Sequence, residues 1–124
     1  MRIPDEEYIH ILQMMPICCV DVIVLHEKKC LLIWRKFSES FGGQWWVPGG
    51  RILKGEKWED AVKRKVLEET GLVIRIVRKV QSYEAFGFDP KISDDVHCIT
   101  TTFIVEPVNS IDIFLDKTAS DYKW

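Results

Sequence analysis

Hydrophobic and polar positions along the chain predict four strands and one helix. The strands are expected over four apolar or β-branched segments: residues 17–25, 30–35, 72–80 and 97–105. The charged residues 26–29 separate the first two segments, so these two are expected to form a β-hairpin. A helical period of apolar residues follows Gly55, and Gly71 fits a left-handed stop at the helix end. The segment 86–95 holds glycine, proline and three acids, and it is either a mobile lid or a solvated turn.

The predicted helix is amphipathic, and one acid lies on its apolar side. At about 100° per residue, the apolar sector contains Trp58, Ala61, Val62 and Val66. The opposite side carries the charged residues Glu59, Asp60, Lys63, Arg64 and Glu68. Glu69 projects from the apolar sector, with Lys65 one turn before it. An inward carboxylate is costly unless it is paired or binds a metal, so its partner is either Lys65 or a metal ion.

The segment before the helix offers a second oxygen ligand for a metal. Two glycines after Pro48 let the backbone turn tightly, so that a carbonyl can point at a metal ion. Mg²⁺ prefers oxygen ligands and usually keeps waters and substrate phosphates in its shell. We therefore expect the Gly49 carbonyl and the Glu69 carboxylate to bind Mg²⁺, or alternatively Mn²⁺, with Glu68 joining directly or through water.

Residues 50–72 resemble the Nudix box in the spacing of Gly50, Glu56, Arg64, Glu68 and Glu69. One position differs, because the box has a glutamate directly after the arginine and this chain has Lys65. Most of the chain is similar to the GDP-mannose mannosyl hydrolase branch of the Nudix hydrolases, including the segments MRIPDEEY, ICCVDVIVL, LLIWRK, WWVPGGR and SDYKW. The resemblance implies one domain over residues 1–124, an α/β fold of the Nudix α/β/α sandwich type with a mixed sheet.

The branch resemblance also implies a reaction. Its members hydrolyse a nucleotide sugar, such as GDP-mannose or GDP-glucose, to free sugar and nucleoside diphosphate by attack at the anomeric carbon. Attack at phosphorus commonly uses several carboxylates and more than one metal, whereas attack at carbon mainly needs a stabilised leaving group. A cation at Lys65 weakens a second metal site and helps to neutralise the departing diphosphate. Lys65 therefore favours chemistry with a single metal ion.

Further site residues follow from the same resemblance. Arg35 matches an arginine that binds the diphosphate, and its planar fork suits phosphate oxygens. Glu56 is expected to pair with Arg64 and brace the loop against the helix. The branch uses its N-terminal segment to contact the nucleotide of a neighbouring subunit, and the matching residues are Arg2, Ile3 and Tyr8. The superfamily usually continues with a helix after a tryptophan such as Trp124, so exposed apolar surface and a homodimer are expected here.

The end of the chain departs from the branch pattern. The branch has a glutamine-type metal ligand followed by a histidine general base, and the corresponding positions here are Thr118 and Ala119. Ala119 cannot accept a proton, so both the general base and a third metal ligand are unassigned. Five residues are candidates for the base: His97, Asp94, Asp95, Glu84 and Asp116.

Composition narrows the class of partner. A chain of 124 residues and 14.5 kDa forms one small domain. A net charge of −2 gives no electrostatic case for binding a nucleic acid polymer, so a small nucleotide is the expected partner. The four cysteines have no CxxC spacing, and we expect reduced core thiols in a cytoplasmic protein. No signal peptide or membrane-spanning segment is predicted.

Three functions remain open. The first is the nucleotide-sugar hydrolase, favoured by Lys65, Arg35 and the N-terminal match. The second is a pyrophosphohydrolase that attacks phosphorus, for which the argument is the set Glu56, Arg64, Glu68 and Glu69. The third is a nucleotide-binding module without turnover, favoured by Ala119 and the missing glutamate.

Overall fold

The structure is a computed structural model that describes residues 2–124. Its elements in chain order are α1 (Asp5–Met14), β1 (Ile17–His26), β2 (Lys29–Cys30), β3 (Leu32–Arg35), β4 (Gln44–Trp46), β5 (Gly49–Arg51), α2 (Trp58–Thr70), β6 (Ile74–Asp89), β7 (Asp94–Pro107) and β8 (Ala119–Lys123). The predicted hairpin is confirmed, since β1 pairs antiparallel with β2 around the turn after His26. No helix among residues 2–124 is long and apolar enough to cross a membrane.

The strands form two sheets, and β1 is central to the larger one. β1 runs parallel to β7, from the pair Ile17 and Cys98 to the pair Val24 and Val105. β2 and β5 pair antiparallel with β1, and β6 pairs antiparallel with β7, so this sheet is mixed. The smaller sheet is antiparallel and has the order β4, β3, β8. Its strand β8 carries the end of the chain to the edge of β3 and places Ala119 opposite Arg35.

The two helices cover opposite faces of the larger sheet. Successive side chains of a strand point to opposite faces. Val20 and Val22 of β1 pack with Val62 of α2 in the main core. Cys19, on the other face of β1, packs in a second cluster with Leu12 of α1. The predicted α/β/α arrangement with a mixed sheet is therefore confirmed, and α1 supplies one of its layers.

Helix α2 matches the prediction at its end and differs from it at its start. Gly71 adopts a left-handed conformation with φ 76°, and its N–H binds the Leu67 carbonyl. The expectation that Trp58 lies in the buried sector is wrong, because its side chain is 43% exposed. Trp58 is the first residue of the helix and lies at the margin of the core, where its ring meets the edge of Phe103 and the ammonium of Lys79.

Three other segments differ from the expectations. Residues 86–95 are neither a lid nor a wholly solvated turn, because they form the strand ends of a long hairpin around residues 90–93. Cys18 is exposed instead of buried, although it shares a face of β1 with the buried Val20; all four thiols are free. Helix α1 was not predicted, although Pro4 precedes it and its first turn carries three acids, which is typical of a helix start.

Candidate active site

The carboxylate of Glu69 is the buried centre of the site. Glu69 is 1% exposed, and its Oε1 accepts a hydrogen bond of 2.8 Å from the backbone N–H of Gly49. Two cations flank the carboxylate without bonding it directly: Arg35 Nη1 lies 3.9 Å from Oε2, and Lys65 Nζ lies 4.0 Å from Oε1. Burial raises the pKa of Glu69, while Lys65, the Gly49 N–H and Arg35 oppose that rise. Glu69 can therefore pair with Lys65 and also bind a metal ion, so the two expected roles do not exclude each other.

Gly49 presents its free backbone groups to Glu69. On either side of this position, the Val22 N–H donates to the Pro48 carbonyl at 2.8 Å and the Ile52 N–H donates to the Cys18 carbonyl at 2.9 Å, so Val22–Pro48 and Cys18–Ile52 are hydrogen-bonded pairs. Gly49, opposite Asp21, lies between such pairs, so its N–H and C=O point away from β1. A Cβ at Gly49 would lie 2.2 Å from the Val20 carbonyl oxygen, so only glycine fits this close approach.

Lys65 lies between the two glutamates of the helix end. Its Nζ is 3.4 Å from Glu68 Oε2 and 4.0 Å from Glu69 Oε1. Its aliphatic stem crosses Gly50, where a Cβ would meet Lys65 Cε at 2.6 Å. Glu68 is half exposed and also faces Arg64 at 3.3 Å. Glu68 is thus engaged by two cations on the solvent side, and its part in metal binding stays a prediction.

The predicted pairing of Glu56 with Arg64 is confirmed. Arg64 Nε donates to Glu56 Oε2 at 2.7 Å and Nη2 donates to Oε1 at 2.9 Å, a bidentate contact. The same Nη2 reaches the Arg51 carbonyl at 2.9 Å, and the Leu53 N–H donates to Glu56 at 3.0 Å. The Arg64 hydrogen bond is the main cause that lowers the pKa of Glu56. This network ties the loop before α2 to the helix that carries Glu69.

A cavity of about 160 Å³ lies between the large sheet and α1. Gly49, Gly50 and Arg35 line it, and of these Gly49 and Arg35 neighbour Glu69. Its other polar or aromatic walls include Tyr8, Asp21, Phe41, Arg51 and Tyr83. The cavity therefore contains the cationic Arg35 and a second polar region.

Asp21 and Tyr83 form that second polar region, and sequence reasoning missed both. The Tyr83 hydroxyl donates a hydrogen bond to Asp21 Oδ2. Burial raises the pKa of Asp21, while the Tyr83 bond and the Arg35 charge act against it. Burial and the neighbouring Asp21 likewise raise the pKa of Tyr83. A single acid within the apolar strand ICCVDVIVL is the signal that points to Asp21.

The N-terminal residues expected to contact a nucleotide separate in the structure. Tyr8 lines the cavity of its own chain, and the Arg51 guanidinium lies over its ring, 5.2 Å from the centroid. Arg2 is exposed and pairs with Asp5, and neither it nor Ile3 lines the cavity. Their contact with a neighbouring subunit stays a prediction.

None of the five candidate bases lines the cavity. Val96, Cys98 and Thr100 line it, so the intervening His97 faces the opposite side of β7, where it stacks on Phe86. Glu84 lies 3.9 Å from His97 on that same outer face. Asp94 and Asp95 are exposed at the end of the hairpin. Asp116 remains near the site, because Thr118 Oγ1 donates to it at 2.6 Å and lies 3.5 Å from Glu69 Oε2.

The residues around Glu69 fit one divalent cation. Within residues 2–124 no three His, Cys, Asp or Glu side chains cluster as a ready-made cage. The oxygen donors that the structure offers here are the buried Glu69 carboxylate, the Thr118 hydroxyl 3.5 Å from Glu69 Oε2, and the Gly49 carbonyl, which points away from β1. Mg²⁺ is commonly held by one or two carboxylates together with substrate phosphates, which matches such a sparse donor set. Lys65 lies where a second ion beside Glu69 would be repelled.

The fold and the braced glutamate helix define a domain of the type that hydrolyses nucleoside diphosphate derivatives. The chain belongs to the NUDIX family, whose domain model matches residues 15–124. Hydrolases of this family act on small nucleotides and generally use a divalent metal ion, typically Mg²⁺. The family expected from residues 50–72 is therefore confirmed.

Three known proteins place the chain within that family. It is 36% identical over 106 residues to the low-salt glycan biosynthesis protein Agl8 of Haloferax volcanii, which covers 84% of this chain and 67% of that protein. It is 36% identical over 93 residues to the ADP-ribose pyrophosphatase of Methanocaldococcus jannaschii, covering 75% of this chain and 52% of that one. The crystal structure of a MutT protein from Methanosarcina mazei has a TM-score of 0.72 and 26% identity, covering 88% of this chain and 76% of that chain.

Proposed function

We propose that the protein hydrolyses a nucleotide sugar of the GDP-mannose or GDP-glucose type to free sugar and nucleoside diphosphate, with one Mg²⁺ or Mn²⁺ ion. Water attacks the anomeric carbon, the bond from that carbon to the diphosphate oxygen breaks, and its electron pair leaves with the diphosphate. The observation that carries the proposal is the position of Lys65 Nζ, 3.4 Å from Glu68 and 4.0 Å from Glu69. A fixed cation there disfavours a second metal and stabilises a diphosphate anion.

Arg35 and Lys65 are the groups that bind and neutralise the leaving diphosphate. Both lie within 4.0 Å of the buried Glu69 carboxylate. Glu69 and Gly49 would hold the metal ion, which when bound draws charge from the diphosphate oxygens. Electrostatic stabilisation is strong here because Glu69 is excluded from water and Arg35 is largely buried.

We assign Asp21 as the general base, which accepts a proton from the attacking water. It lines the cavity with Arg35 and Gly49. Its raised pKa brings the carboxyl closer to the range in which a general base works well. Tyr83 fixes the carboxylate through its hydroxyl. A carboxylate has further lone pairs, so Asp21 can still accept the proton or bind a sugar hydroxyl. This assignment replaces the family histidine, for which the chain has Ala119.

The similarity to Agl8 supports a sugar-linked substrate, because that relative is described as a glycan biosynthesis protein. A second candidate function is attack at phosphorus. It is favoured by the half-exposed Glu68, which is adjacent to Glu69, and by similarity to an ADP-ribose pyrophosphatase.

Product analysis tests the proposal. The protein with Mg²⁺ is incubated separately with GDP-mannose, GDP-glucose, ADP-ribose and nucleoside triphosphates, and products are separated by anion-exchange chromatography. The proposal predicts free sugar and nucleoside diphosphate from a nucleotide sugar. Sugar phosphate and nucleoside monophosphate would instead support attack at phosphorus. Binding without turnover would indicate a nucleotide-binding module.

Glu69→Gln is the test variant for that assay, and Glu59→Gln is its matched control. Glu69→Gln removes the buried negative charge and keeps the side-chain volume, so the Gly49 N–H still has an acceptor. We expect turnover to fall at least about a hundredfold, in line with the loss of a metal ligand. Glu59→Gln, on the exposed side of the same helix, should leave turnover within about twofold, since surface charges contribute little.

A further inference from the structure

The loop between β3 and β4 forms one wall of the cavity and holds Arg35 in place. Ser40 and Phe41 of this loop line the cavity together with Arg35. The Arg35 Nε–H donates to the Ser40 carbonyl at 3.0 Å, and the Gly43 N–H donates to the Arg35 carbonyl at 2.8 Å. The Ser40 carbonyl therefore occupies Nε, which leaves the terminal nitrogens of Arg35 to face Glu69 and the diphosphate.

The same loop is anchored on the distant β6–β7 hairpin. Asp89, the last residue of β6, is 1% exposed and accepts a hydrogen bond from the Ser40 hydroxyl. Its other oxygen accepts the Lys91 N–H at 2.8 Å. The Phe41 N–H donates to the Phe88 carbonyl at 3.0 Å, which fixes the loop backbone beside the hairpin.

Gly87 completes the anchor by close packing. A Cβ at this position would lie 2.2 Å from the Phe41 ring, so the ring rests directly on the strand backbone. Asp89 and Gly87 thus hold the middle of the loop. The hydrogen bond from the Gly43 N–H to the Arg35 carbonyl joins its two ends.

We propose that Asp89 is a positioning residue for diphosphate binding, which acts on Arg35 through Ser40. The proposal rests on the proposed function, because it takes Arg35 as the arginine that binds the diphosphate. Burying a carboxylate costs free energy unless its oxygens are hydrogen-bonded. The Asp89 carboxylate is hydrogen-bonded, and it fixes the position of the Ser40 hydroxyl. Fixing that hydroxyl fixes the Ser40 peptide, whose carbonyl orients the Arg35 fork. Asp89 itself does not line the cavity.

A double-mutant cycle tests this coupling in the full chain. The affinity for inorganic pyrophosphate with Mg²⁺ is measured by calorimetry for the wild type, Asp89→Asn, Arg35→Ala and the double variant. Asp89→Asn keeps the size and one acceptor but removes the charge. We expect it to weaken binding about tenfold, and to change the affinity less than about twofold in the Arg35→Ala background, since residues acting through one contact are not additive.

A second set of variants covers the case in which Asp89→Asn fails to fold. Ser40→Ala should weaken pyrophosphate binding about as much as Asp89→Asn, and Ser40→Thr should restore it because the hydroxyl returns. Ser82→Ala is the matched control. It removes a hydroxyl that bonds Thr101 at 2.8 Å within the same hairpin but outside the cavity, and it should leave the affinity unchanged.

Three results overturn the proposal and are distinguishable. If Asp89→Asn weakens binding equally with and without Arg35, Asp89 only stabilises the hairpin, and the role of Arg35 in the proposed function stands. If Arg35→Ala leaves the pyrophosphate affinity unchanged, the assignment of Arg35 to the diphosphate fails as well. Failure of Ser40→Thr to restore binding also overturns the coupling through the hydroxyl.

Discussion

Lys65 Nζ lies 4.0 Å from Glu69 Oε1, and its stem crosses Gly50 so closely that a Cβ there would meet Lys65 Cε at 2.6 Å. The lysine is therefore packed into the site next to the buried carboxylate and is not a mobile surface charge. A substitution at this position changes the net charge of the metal site directly.

Lys65→Glu should convert a site for one metal ion into a site for two. The variant places a carboxylate next to Glu68 and Glu69, which supplies the oxygen ligands that a second Mg²⁺ needs. Calorimetric titration should give one ion per wild-type chain and two per variant chain. The rate of free-sugar release should fall, because the cation that stabilises the diphosphate is lost.

Lys63→Glu is the control for this change, since it makes the same charge reversal at an exposed position of the same helix. It should leave both the stoichiometry and the rate near the wild-type values. Two bound ions in the wild type would contradict the role given to Lys65.

Glu56→Gln should destabilise the protein in a way that depends on pH. The pKa of Glu56 is lowered mainly by the Arg64 hydrogen bond, so the folded state favours the carboxylate. This contribution is present above the ordinary carboxyl pKa and is lost as pH falls through the lowered value. At neutral pH we expect a loss of about 1–2 kcal/mol in the free energy of unfolding from chemical denaturation.

The difference between Glu56→Gln and wild type should shrink toward acidic pH, where both side chains are uncharged. Mg²⁺ affinity should also weaken, because Arg64 ties the loop before α2 to the helix of Glu69. A difference in stability that stays constant down to low pH would show that the Arg64 pair does not depend on the Glu56 charge.

The local parts of this site were predictable from the sequence, and the long-range parts were not. Gly71, the burial of Glu69 and the Glu56–Arg64 pair depend on spacings within one helix and its preceding loop, where a helical period is informative. Asp21 and Tyr83 are 62 residues apart, and they meet because β7 pairs with both of their strands. No local spacing encodes such a pairing.

The choice of catalytic base illustrates the same limit of local patterns. His97 was a candidate by residue type alone, yet the alternation of β7 turns it away from the cavity. Asp21 stands out in the sequence as a single acid in an apolar strand, but only the sheet register places it opposite Gly49. Helix α1 has acids in its first turn, but its burial depends on contacts with the sheet.

Tyr83→Phe should shift the pH dependence of turnover toward higher pH. Burial already raises the pKa of Asp21, and the Tyr83 hydroxyl lowers it, so removing the hydroxyl should raise the pKa further. A base works only after losing its proton, so turnover should rise with pH through the Asp21 pKa. The acidic limb of the kcat profile should therefore move to higher pH in Tyr83→Phe.

Asp21→Asn should remove this limb and lower kcat about a hundredfold or more, within the range typical of a general base. The raised pKa has a consequence for stability as well. The folded state binds more protons than the unfolded chain between the two pKa values, so the free energy of unfolding should decrease as pH rises through that window. An unchanged acidic limb in both Tyr83→Phe and Asp21→Asn would exclude Asp21 as the base.

The central claim is that water attacks the sugar carbon and not phosphorus. The direct test is a reaction of the wild-type protein with Mg²⁺ and GDP-mannose in ¹⁸O-labelled water, followed by mass spectrometry of both products at early times. If water attacks carbon, the label enters the free sugar and the nucleoside diphosphate is unlabelled. Label in a phosphate group, with sugar phosphate as a product, would contradict attack at carbon.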